Sequence, residues 1–132
     1  MKNYIGQLAI LVDDYDEAIA YYQKVLDFKL IEDTYLSETK RWVVVEPAEA
    51  GDKGCQLLLA KASNELQKKY IGNQSGGRVF LFLYTEEFER MHSRLIENKV
   101  EIVNGPRLEN YGQVLVFKDL YGNLWDLIQR NE

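Results

Sequence analysis

Apolar residues follow a strand-and-helix pattern that occurs twice along the chain. In the first half, a run of apolar positions is followed by a segment in which Ala18, Ile19, Tyr22 and later apolar residues recur on one helical face, which predicts a helix over Tyr15–Leu26. Asp14 and Glu17 match an N-terminal capping box in which acids serve as caps. Runs rich in β-branched and aromatic residues predict strands at Tyr4–Val12, Phe28–Tyr35, Arg41–Glu46 and Cys55–Ala60.

The second half repeats this order after a junction at Lys61–Ser75, where a short helix could begin near Ser63. Thr85, Glu86 and Glu87 begin a helix whose inner face carries Phe88, Met91 and Leu95, with Ile96 as a further candidate for that face. Gly105-Pro106 is interpreted as a turn, and Asp119–Asn123 supplies turn residues before the last strand. Strands are predicted at Arg78–Tyr84, Val100–Val103, Gln113–Lys118 and Leu124–Gln129.

The repeated order predicts the fold. Asp14 and Glu87 hold equivalent places 73 residues apart, and the same offset relates Gln7 to Phe80. We therefore expect an α+β fold of two βαβββ modules that form a curved, cleft-bearing mixed sheet. The modules cover about residues 1–62 and 76–130 of a single domain, 1–132. A concave apolar cleft is a usual location for a small-molecule site.

Composition narrows the classes of function. The 132 residues carry a net charge of −5 with a pI near 5.0, which argues against a nucleic-acid partner. No apolar run approaches the ~18 residues of a membrane span, and the N-terminal apolar run is too short for a signal peptide. The single cysteine, Cys55, cannot form an internal disulfide. We expect a cytoplasmic protein without a membrane partner.

Three segments carry a family resemblance: VDDYDEAIAYYQKVLDF, GGRVFLFLYTEEF and DLYGNLWDLIQ. They resemble the vicinal oxygen chelate superfamily of glyoxalases, extradiol dioxygenases, fosfomycin-modifying enzymes and bleomycin-binding proteins. The resemblance covers nearly the whole chain and implies the fold. It does not imply one reaction, because this scaffold hosts several unrelated chemistries.

The resemblance also implies four inward strand positions at which the metal enzymes carry His or Glu. Here these positions fall on Gln7, near Leu57, on Phe80 and on Asp126. Only Asp126 is an ordinary metal ligand, whereas a catalytic divalent site usually needs about three protein ligands. We therefore predict no metal cofactor and keep Asp126 as the weak metal candidate.

Asp126 is a carboxylate within an apolar strand, so it serves a metal, a ligand, a paired arginine or solvent. His92 is interpreted as a surface or boundary residue of its helix. Cys55 begins an apolar strand without a basic neighbour in sequence, which argues against a nucleophile. Arg107 and Glu109 are equally compatible with an ordinary surface position. The period of two places Phe80, Phe82 and Tyr84 on one face of their strand. The predicted ligand-binding residues are Gln7, Trp42, Phe80, Phe82, Tyr84, Tyr111 and Asp126.

Three hypotheses follow. The first is a protein with a degraded metal site that binds a small amphiphilic or cationic molecule in an aromatic cleft. The second is a metal-dependent glyoxalase-like lyase or dioxygenase, and the third is a dimeric structural or interaction module. We expect a small-molecule ligand and a homodimer, and the sequence leaves open whether any reaction is catalysed.

Overall fold

The chain divides into two units, Met1–Ile71 and Gly72–Glu132, and the computed structural model describes residues 1–132. Each unit contains a four-stranded mixed sheet in which the first strand runs parallel to the last and the other pairs are antiparallel. The predicted α+β fold of two βαβββ modules is therefore confirmed.

The elements of unit 1 are β1 (Gln7–Val12), α1 (Tyr15–Lys24), β2 (Phe28–Tyr35), β3 (Arg41–Pro47), β4 (Gln56–Lys61) and the short α2 (Glu65–Lys69). Its sheet has the strand order β1-β4-β3-β2. Helix α1 is capped as predicted, because the Asp14 Oδ2 atom accepts a hydrogen bond of 2.8 Å from the Glu17 backbone nitrogen. Tyr22 packs on Phe28 with ring centroids 5.4 Å apart, which places α1 against one face of the sheet.

The elements of unit 2 are β5 (Val79–Tyr84), α3 (Phe88–Glu97), β6 (Ile102–Glu109), β7 (Gly112–Lys118) and β8 (Leu124–Arg130). Its sheet has the strand order β5-β8-β7-β6. Gln129 connects this sheet to helix α3, because its side-chain oxygen accepts a hydrogen bond from the Phe88 backbone nitrogen and its amide donates to the Glu86 carbonyl. Trp125 and Leu127, which alternate with Asp126, therefore share the α3 face of the sheet and are buried.

Several predicted boundaries were wrong. The clearest case is β6, which spans Ile102–Glu109 and contains Gly105-Pro106, where the sequence predicted a strand over Val100–Val103 followed by a turn. Pro106 is tolerated because β6 is an edge strand, and the pairing register shifts between Asn104 and Arg107. Strand β1 begins at Gln7 rather than Tyr4, and β4 begins after Cys55. Helix α1 ends at Lys24 rather than Leu26.

The turn between β7 and β8 is organised by Asp119, which is only 6% exposed. Its carboxylate accepts hydrogen bonds from the backbone nitrogens of Tyr121, Gly122 and Asn123 at 3.0 to 3.1 Å. It also accepts from the Asn123 side-chain amide and from the Trp125 indole nitrogen, each at 3.0 Å. One buried carboxylate thus closes the hairpin that carries Asp126.

Candidate functional site: the face of the second sheet that carries Asp126

Asp126 lies at the middle of β8 on the sheet face opposite α3, which we call the Asp126 face. Its register partners are Phe82 on β5 and Val116 on β7, and paired residues of neighbouring strands point to the same face. The Asp126 carboxylate is half-buried and accepts no hydrogen bond within the chain. Burial raises the pKa of Asp126 above its ordinary value of 3.8, while the positive charge of Arg107 acts in the opposite direction.

Arg107 reaches the same face from the edge strand β6, where it pairs with Val114 of β7. Its Nε donates a hydrogen bond of 2.8 Å to Glu109, and its Nη1 donates to the Asn104 side-chain oxygen. The hydrogen bond to Glu109 and then the negative charges of Glu109 and Asp126 raise the pKa of Arg107. No ion pair joins Arg107 to Asp126, so the two charges face each other across a gap.

Aromatic side chains extend the Asp126 face along β5. Phe82 lies beside Asp126 and is 55% exposed, and Tyr84 pairs with Ile128 and is 52% exposed. The Arg130 guanidinium lies 4.3 Å from the centre of the Tyr84 ring, a cation–π contact. Phe80 is half-buried and is the extra residue where the register shifts between Val79 and Leu81, so strict alternation applies only to Phe82 and Tyr84.

Two predicted contact residues, Gln7 and Trp42, belong to unit 1. Gln7 pairs with Gln56, which donates a 2.7 Å hydrogen bond to Glu46, and these residues lie on the face opposite α1. Trp42 is half-buried on that face of β3. A groove of about 410 Å³ opens beside Gln7 and does not include Trp42; it is lined by Tyr4, Gly6, Gln7, Glu46, Gly51, Asp52, Lys53, Gly54, Cys55 and Gln56.

The side chains at the four resemblance positions do not fit a divalent metal. Leu57 is buried on the α1 side of its sheet, and Gln56 rather than Leu57 lies beside Gln7. Phe82 and Val116, the register partners of Asp126, offer no ligand atoms. No group of three or more His, Cys, Asp or Glu residues could hold a metal ion. The positive charge of Arg107 near Asp126 also acts against a bound divalent metal ion, whose charge is concentrated on one atom.

The structure shows two features of this sheet that the sequence does not predict. Arg107 reaches the Asp126 face only because of the irregular pairing of β6 with β7, and no sequence pattern indicates that register. The sequence identifies Asp119 only as a residue type that is common in turns. The signal for its larger role is the spacing to Asn123 and Trp125, four and six residues later, whose side chains donate hydrogen bonds to its carboxylate.

Comparisons with known proteins agree with this architecture. A sequence model of the Glyoxalase/Bleomycin resistance protein/Dioxygenase superfamily matches residues 4–127, so the chain belongs to this superfamily. An uncharacterized protein of Shewanella frigidimarina is 53% identical over 100% of this chain and 97% of its own length.

Two solved structures share the fold. TnmS3, an antibiotic binding protein from Streptomyces, has a TM-score of 0.78 and 23% identity, with 98% of each chain covered. UcmS2 has a TM-score of 0.81 and 26% identity, with 97% of this chain and 98% of that chain covered. None of the helices in this chain is both long and apolar enough to span a bilayer.

Proposed function

We propose that this protein binds a small amphiphilic or cationic molecule on the Asp126 face without a metal ion. The observation that carries the proposal is a half-buried carboxylate that accepts no hydrogen bond from its own chain and lies beside an exposed Phe82. Partial desolvation of a charge without a hydrogen-bonded partner lowers stability. A ligand that donates a hydrogen bond to Asp126 would offset that cost.

The remaining contacts are assigned by chemistry. Phe82 and Tyr84 offer exposed aromatic surface, which provides most of the affinity in small-molecule sites. Phe80 and Tyr111 complete the proposed contact set in unit 2, and Gln7 and Trp42 stay predicted contacts on unit 1. The superfamily scaffold supports this role, since the related fold of TnmS3 belongs to an antibiotic binding protein. The proposal includes a cytoplasmic location and a homodimer.

The test is thermal denaturation and calorimetric titration with a panel of aromatic amines and amphiphiles, in buffer that contains a chelator. We expect at least one compound to stabilise the protein, by about 2.7 kcal/mol at a ligand concentration 100 times its Kd. Asp126→Asn and Phe82→Ala should each remove most of that gain. The matched controls are Glu97→Gln and Ile96→Ala, exposed residues of α3, which lies against the opposite face of the sheet, and they should keep it.

Two results would overturn the proposal. One is a panel in which no compound stabilises the wild type. The other is stoichiometric, Asp126-dependent binding of Zn, Ni, Mn or Fe in chelator-free buffer, which would favour the metal-dependent alternative.

A further inference from the structure

Arg107 and Asp126 form a pair of opposite charges on one sheet face without contacting each other. Arg107 pairs with Val114, Val114 pairs with Ile128, and Ile128 follows Asp126 by two residues along β8. The two charged residues are therefore two strands apart and offset by two residues along the strands, which places their backbones about 12 Å apart. Val116 of β7, which is half-buried, lies beside Asp126 and provides apolar surface between the two charges, while Val114 beneath Arg107 is fully buried.

The Arg107 guanidinium is held in place from one side only. Glu109 accepts from its Nε and Asn104 accepts from its Nη1, while its Nη2 has no hydrogen-bond partner in the chain. A guanidinium with two of its nitrogens fixed loses little side-chain entropy when the third binds an acceptor. Arg107 is thus a pre-organised donor that faces an unpaired acceptor, Asp126.

We propose that Arg107 is the second anchor and a specificity-determining residue of this site, so that the ligand is a flat aromatic molecule with a hydrogen-bond donor at one edge and an acceptor or anionic group at the other. This inference rests on the proposed function and narrows it. Asp126 takes the donor edge, Val116 lies beneath the ring, and Arg107 takes the acceptor edge. A ligand with only a positive charge is disfavoured, because it meets the Arg107 charge without compensation.

The test uses three probes that share one ring system: 6-(aminomethyl)-2-naphthoic acid, 2-naphthylmethylamine and 2-naphthoic acid. Their affinities are measured by titration calorimetry on the full chain. We expect the first probe, which carries both charges, to bind the wild type about tenfold or more tightly than either single-charged probe, because a hydrogen bond to a charged group is added at each edge.

The variants separate the two anchors. Arg107→Met keeps the side-chain length and should abolish the higher affinity of the doubly charged probe relative to the amine. Arg107→Lys keeps the positive charge and should retain part of that difference in affinity. Asp126→Asn should remove the advantage over the naphthoic acid. Arg94→Met, on α3, is the matched control and should leave the relative affinities of the three probes unchanged. Arg107 is 39% exposed at its side chain, so these substitutions leave the core intact.

The outcomes distinguish this inference from the broader proposal. Equal affinities for the doubly charged probe and the amine would overturn the role of Arg107. So would an Arg107→Met variant that binds every probe and every active panel compound like the wild type. If panel compounds still bind in an Asp126-dependent way, the proposed function stands without the second anchor. If no compound binds, both fail together.

Discussion

Replacement of Asp119 by alanine is expected to destabilise unit 2 strongly. The carboxylate accepts from three backbone nitrogens, the Asn123 amide and the Trp125 indole, and its site is almost closed to solvent. Asp119→Ala leaves the Trp125 indole nitrogen and the Asn123 amide buried without their acceptor. Donors orphaned in this way cost ~1–3 kcal/mol each, so we expect a loss of about 3–5 kcal/mol. Asp119→Asn keeps one accepting oxygen and should lose about 1–3 kcal/mol.

The assay is urea denaturation followed by tryptophan fluorescence. Trp42 and Trp125 are the two tryptophans of the chain. The wild type and every variant therefore carry the background substitution Trp42→Phe, so that the fluorescence of Trp125 reports on unit 2. The midpoint should fall while the denaturant slope stays constant, and Tm should fall by roughly 10–20 °C for Asp119→Ala. Asp52→Ala, an exposed carboxylate, is the control. A loss below about 1 kcal/mol for Asp119→Ala would refute the structural role assigned to this carboxylate.

Three further predictions concern single residues. Burial raises the pKa of Asp126 in the folded protein, so the contribution of this carboxyl to stability is fully present below pH 3.8 and is lost as the pH rises through the raised value. Asp126→Asn should therefore have a higher free energy of unfolding than the wild type at pH 7 and the same one near pH 3. Identical stability curves of the two proteins from pH 3 to 7 would contradict this. Gly112→Ala should lower the free energy of unfolding by more than ~1 kcal/mol and so unfold at a lower urea concentration, since the Gly112 backbone has φ +148° and a Cβ there would lie 2.0 Å from the Gln129 carbonyl oxygen. An unchanged urea midpoint would count against this close approach. Asp14→Ala should lower the free energy of unfolding by about 1 kcal/mol through loss of the α1 cap, and Asp14→Asn is the control that retains a capping oxygen. Identical denaturation midpoints of the two variants would argue against the capping role.

The fold could be predicted because its signals are local. Alternation and helical spacing located the strands and both principal helices, and the Asp14 cap follows from a short pattern. Strand β6 could not be placed, since Gly105-Pro106 is a turn signal in sequence and only the edge position of the strand makes Pro106 acceptable within it.

The candidate site was less predictable because its neighbours are set by strand register. Phe82 was predicted to share a face with Phe80, but the register shift in β5 limits that inference. Leu57 was expected beside Gln7 as one of the four positions that the resemblance implies. Gln56 lies there instead, because β1 and β4 pair one residue away from the expected alignment. Arg107 shares a sheet face with Asp126 because of two register shifts in the pairing of β6 with β7, and no local sequence pattern indicates such long-range pairing.

The most direct test of ligand binding on the Asp126 face is a backbone amide NMR titration with the compound that stabilises the protein most. We expect chemical-shift changes around Asp126 and Phe82 on the central strands of unit 2, with the amides of α3 near Glu97 unchanged. Shifts confined to α3, or no shift near Asp126 from any compound of the panel, would contradict the proposed function.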